Sequence, residues 1–115
     1  MTRIVYGRYD DRFYLEASGH AVGEELFADC GCDEGDGGRV CAAVSALILT
    51  ACEMLSELDS RGELSRLVTE IESGYAMLDA APRYESAEAV EGVFDFLMTG
   101  FGLLEENYPE CVSCE

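Results

Sequence analysis

Lysine is absent from this chain of 115 residues, and histidine occurs once. All side-chain positive charge at neutral pH therefore rests on 7 arginines, set against 24 acids, for a formal net charge of -17. Such a field repels nucleic acid and anionic membrane surfaces, and it serves either to draw in basic partners or simply to keep the surface soluble. Long apolar runs are also missing. No stretch reads as the roughly 20 apolar residues of a membrane span, so no membrane partner is expected. The opening MTRIVYGRYDD has neither an apolar core segment nor a small-residue cleavage pattern, so no signal peptide and a cytoplasmic location are the expectation.

What is present suits one small folded unit. Hydrophobic residues make up 49% of the chain, enough for a single two-layer core, and one domain over 1–115 is expected. Six cysteines (Cys30, Cys32, Cys41, Cys52, Cys111, Cys114) in a reducing compartment point to metal binding or catalysis more than to disulfides.

Residues 3–9 (RIVYGRY) and 13–18 (FYLEAS) are rich in β-branched and aromatic side chains around the polar turn Asp10-Asp11-Arg12, and they predict a hairpin ending at Ser18-Gly19-His20. Residues 22–38 predict an extended acidic loop, dense in glycine. The period then changes to that of a helix, with Val40, Ala43, Val44, Leu47, Ile48, Ala51, Met54, Leu55 and Leu58 on one face and a polar stop at Asp59-Ser60-Arg61-Gly62. Leu67–Glu72 and Tyr75–Asp79 flank Ser73-Gly74 as a second hairpin, and Ser86 to Asn107 forms a second helix ended by Tyr108-Pro109. The fold class expected is α+β: a two-layer ββαββα unit, with a four-stranded sheet carrying two helices on one face.

The chemistry centres on His20, at the end of the second strand, and Cys41. A helix beginning near Arg39 or Val40 places Cys41 in its first turn, where unpaired amides and the helix dipole favour a thiolate. Beside an imidazole, a cysteine in such a place has its pKa lowered from about 8.5 to roughly 3.5–7.5. The thiolate can attack a carbonyl while the imidazolium protonates the leaving amine. Ser45 lies one turn down the same face. The structural alternative is a surface histidine and a core cysteine.

Two motifs, Ser18-Gly19-His20-Ala21 and Val40-Cys41-Ala42-Ala43-Val44-Ser45-Ala46-Leu47, closely resemble the ribosomal-processing cysteine protease family, Prp. So do the opening hairpin, Ile71-Glu72-Ser73-Gly74-Tyr75 and the closing EENYPECV. The resemblance implies homodimeric bacterial proteases of α+β fold, which remove an N-terminal extension from the large-subunit ribosomal protein numbered twenty-seven. It assigns His20 and Cys41 to the catalytic pair and Ser45 to the cysteine motif. It implies no cofactor, a basic ribosomal precursor as substrate and no direct contact with nucleic acid. Two features depart from the family. The segment from His20 to Cys41 is longer and carries Cys30-Gly31-Cys32, and Gly38-Arg39 stands where the family commonly has an aspartate. Either Asp36 supplies that carboxylate from a shifted position or the role is absent.

Cys30, Cys32, Cys111 and Cys114 are candidate zinc ligands if the chain terminus folds back on the loop. The rival functional readings are thus a zinc-stabilised binding module, with Cys41 in the core, and a catalytically silent binder of the basic precursor.

Overall fold

The computed structural model describes residues 1–19, 36–72 and 74–115, with the side chains of 36–38 excepted. Two hairpins, β1 (Thr2–Tyr9) with β2 (Arg12–Ser18) and β3 (Leu64–Glu72) with β4 (Tyr75–Pro82), are separated by helix α1 (Asp36–Ser60). Helix α2 (Ala87–Asn107) follows a short 3-10 turn, and a last strand β5 (Val112–Cys114) closes the chain. Strand order is β3-β4-β2-β1-β5. All pairings are antiparallel except β1 with β5, which is parallel.

The sheet therefore has five strands, not four. The fifth is only three residues long, too short to show a period, and a turn creates it. The amides of Cys111 and Val112 both donate to the Tyr108 carbonyl, at 2.9 and 3.2 Å. This swings the chain alongside β1, where Thr2 N–H donates to the Cys111 carbonyl at 2.7 Å.

Alternation does the rest. Ile4 faces Ala17, Leu15 faces Leu78, and Phe13 faces Ala80 across the ladders. All six are at most 1% exposed, so they form one continuous inner face. Both helices cover that face. Val40, Val44, Ile48, Ala51 and Leu55 of α1 and Val90, Phe94, Leu97 and Phe101 of α2 complete the core. Phe94 stacks on Tyr6 and Phe13 at ring separations of 5.9 and 5.5 Å. Met54 differs from the helical-face expectation: it is 40% exposed, on the wall of an open groove shared with Ala89 and Val93 of α2.

Helix α1 also corrects the reading of apolar runs. Its 22 residues Arg39–Ser60 are long and apolar enough, by length and composition alone, to cross a membrane. In this fold the apolar side of the helix packs on the sheet and on α2. The helix ends where the polar stop predicts, at Ser60, followed by Gly62 in the left-handed region at φ +76°.

Candidate active site

Helix α1 carries Cys41 and Ser45, four residues apart and so on one face. Both are buried, at 6% and 3% exposure, beside Val40 and Val44 of the core. The helix begins at Asp36, earlier than its apolar period shows, because the glycines and acids that read as loop occupy its first turn. Two expectations change. Residues 36–38 belong to α1 and not to the loop, and Cys41 is the sixth helical residue, not a first-turn one. Only the first four amides of a helix lack a partner within it, so the amide of Cys41 falls inside the i→i−4 ladder.

His20, Cys30 and Cys32 lie outside the described residues, so the His20–Cys41 pairing and the thiolate cluster do too. The described chain nevertheless brings the strand end before His20 under tight control. Gly19 N–H donates to the Gly74 carbonyl at 2.9 Å, one step beyond the last β2–β4 pair, Ser18 with Tyr75. This approach escaped sequence reading. Both glycines mark turns in the sequence, but nothing local says that the two turns meet.

Cys52 and Cys114 sit in environments that favour the neutral thiol. Burial, with Glu53 nearby, pushes the Cys52 thiol up to about 11. Burial and the Glu105 carboxylate also raise Cys114, and Glu105 Oε2 accepts the Cys114 amide at 2.9 Å. Cys111 lies in the turn before β5. Among the described residues no cluster of three or more metal-ligating side chains forms.

Charge is arranged asymmetrically. Arg3, Arg8, Arg12, Arg61 and Arg66 are each bound to an acid, including Arg3 to Glu115 at 2.8 Å and Arg8 to Glu91 at 3.4 Å. Most of the positive charge is thereby spent locally, and the acidic excess dominates the outer field. A groove of about 250 Å³ lies between the helices, lined by Met54, Glu57, Leu58, Arg61, Ala89 and Val93. It opens at the far end of α1, about 20 Å along the helix from Cys41 at 1.5 Å per residue.

Comparison with known proteins supplies the context for these residues. The family described as Cysteine protease Prp matches residues 1–113. No curated protein sequence matches. Among solved structures, SMU.848 from Streptococcus mutans is similar over 100% of this chain and 96% of its own, at 26% identity and a TM-score of 0.61. An essential ribosomal processing protease Prp from S. aureus, in complex with a substrate peptide, covers 100% of this chain and 98% of its own at 13% identity and a TM-score of 0.65. The same protease with a covalently linked product peptide gives 14% identity and a TM-score of 0.66, with the same coverage. At those identities the S. aureus structures speak for the fold.

Proposed function

Since the chain belongs to the cysteine protease Prp family, we propose that it removes the N-terminal extension of the large-subunit ribosomal protein numbered twenty-seven, with Cys41 as nucleophile and His20 as general base and acid. The observation that carries this reading is the family match across residues 1–113, which spans both motifs. The four-residue spacing of Cys41 and Ser45 on α1 is compatible with it.

In this mechanism the imidazole takes the proton of the Cys41 thiol, and the thiolate forms a C–S bond to the scissile carbonyl carbon. The carbonyl π electrons move to oxygen. Collapse of that intermediate breaks the C–N bond as the imidazolium gives its proton to the leaving amine. Water, deprotonated by the same imidazole, then releases the thioester as a carboxylate. Because the Cys41 amide is committed to the helix, donors for the oxyanion come from other groups. Ser45, one turn along, orients the reacting pair, and Asp36 at the helix start supplies the carboxylate in place of the family's aspartate. A basic precursor approaches down the field of the -17 charge. The reading includes a homodimer working in the cytoplasm.

Incubating the extended precursor with wild type, Cys41→Ala and His20→Ala tests this directly. Cutting at the extension by wild type alone is the expected result. Cutting by Cys41→Ala, or none by the wild type while the precursor is tightly bound, would overturn it, the latter in favour of a silent binder.

A further inference from the structure

We infer that the groove between the end of α1 and the start of α2 is a docking site for the basic body of the precursor, seating one of its apolar side chains among acids, remote from the bond that is cut. The inference deepens the proposed function and rests on it.

The floor of the groove is apolar. Met54 and Leu58 of α1 face Ala89 and Val93 of α2 across it. Met54 is 40% exposed although it belongs to the apolar side of its helix, and no described element covers it. Gly92, beside Val93, leaves open space, since a Cβ added there would meet nothing within 4 Å. The apolar line continues along α2. Ala89, Phe96 and Leu103 stand seven residues apart, two helical turns, and so share one side. Phe96 is 43% exposed and Leu103 is 56% exposed. At about 250 Å³ the groove falls below the roughly 300–1,000 Å³ of a small-molecule pocket. Its size suits a single side chain of a larger partner, with the line on α2 as the flanking contact.

Charge selects that partner. The segments that wall the groove, 53–63 and 83–93, carry 7 acids against 2 arginines. One of those arginines, Arg61, is bound to Glu57 and Glu63. Glu53, Glu57 and Glu88 are exposed. A second copy of the chain would set these acids against like charge, whereas a basic protein meets them favourably. The precursor is the basic protein that the proposed reaction brings to this surface. The groove lies about 20 Å along α1 from Cys41, at 1.5 Å per residue. An extended chain at about 3.3 Å per residue needs about six residues to span that distance. The residues engaged are therefore distinct from those at the cut, and they belong to the part of the precursor that survives it.

The experiment uses the whole protein and two probes. The extended precursor serves for cleavage kinetics, and the mature ribosomal protein, lacking the extension, for binding by fluorescence anisotropy. Ala89→Phe fills the groove and Glu53→Arg reverses its rim, both from exposed positions that leave the core untouched. Asp11→Arg makes the same charge change at an exposed site in the β1–β2 turn. Docking predicts that Ala89→Phe and Glu53→Arg each weaken binding of the mature protein about fivefold or more and raise KM for the precursor to match, while kcat stays within about twofold. Asp11→Arg stays within about twofold of wild type on every measure. Groove variants that bind and cut like the wild type would overturn the docking site and leave the protease reading standing. So would a mature protein that does not bind, or an Asp11→Arg effect as large as that of Glu53→Arg, which would assign recognition to the overall field. A drop in kcat with KM unmoved would also overturn it, as damage carried to the catalytic end. If the wild type leaves the precursor whole, the proposed function falls and this inference with it.

Discussion

Gly100 of α2 sits directly against Leu47 of α1: a Cβ added at Gly100 would come within 2.9 Å of both Leu47 methyl carbons. The glycine, which by propensity weakens its helix, is a point of close approach between the two helices. At Gly92 and Gly102 an added Cβ meets nothing within 4 Å. Alanine at either of those positions is therefore expected to stabilise the protein by about 0.5–1 kcal/mol in urea melts. Gly100→Ala is expected to show no such gain, because displacing Leu47 offsets the improved propensity. A gain at Gly100 equal to that at Gly102 would show the contact to be slack.

Asp79 lies at the centre of the open sheet face, 5% exposed, with Oδ2 3.5 Å from Arg12 and 3.6 Å from Arg66. Its Oδ1 is buried without a hydrogen-bond partner among the described residues. Both arginines remain 40% or more exposed and keep their water when the acid is lost. Asp79→Asn should therefore cost about 1–2 kcal/mol, below the full penalty for splitting a buried pair. Arg12→Ala and Arg66→Ala should each cost under about 1 kcal/mol. Equilibrium unfolding of the three variants checks the order.

Alkaline pH should loosen the fold in a predictable window. Burial first, then the hydrogen bond its hydroxyl donates to Glu16 at 3.0 Å, pushes the Tyr14 phenol from 10.0 up to about 12. Burial likewise moves Cys52 from 9.0 up to about 11. Both are raised in the folded state, so their stabilising contributions are complete below the unfolded values and disappear as pH rises through the folded ones. Stability should fall progressively from about pH 9 to pH 12. Tyr14→Phe should flatten the part above about pH 10, as measured by urea midpoints along that range.

On the proposed function, steering by the acidic field should make cleavage salt-sensitive. Raising ionic strength from about 0.05 to 0.5 M is expected to lower kcat/KM for the basic precursor by about tenfold while kcat at saturation changes little. A salt-independent kcat/KM would assign recognition to short-range contacts instead.

Local sequence determined a good deal of this protein. Helix α2 was legible because Val90, Val93, Phe94, Leu97 and Phe101 recur at the helical period and all lie in the core. The hairpins were legible because Phe13, Leu15 and Ala17 alternate with more exposed neighbours. Recognition of the family rested on short motifs around His20 and Cys41, whose residue types the chain states outright. The tertiary structure alone decided the rest. β5 exists through parallel pairing with β1 at the opposite end of the chain, which no local period encodes. The start of α1 moved back to Asp36 because acids and glycines are compatible with a helical first turn while composing like a loop. The burial of Asp79 and the meeting of Gly19 with Gly74 are products of sheet register. Register joins residues distant in sequence by matching whole faces, and a one-residue shift would exchange every side chain between core and solvent.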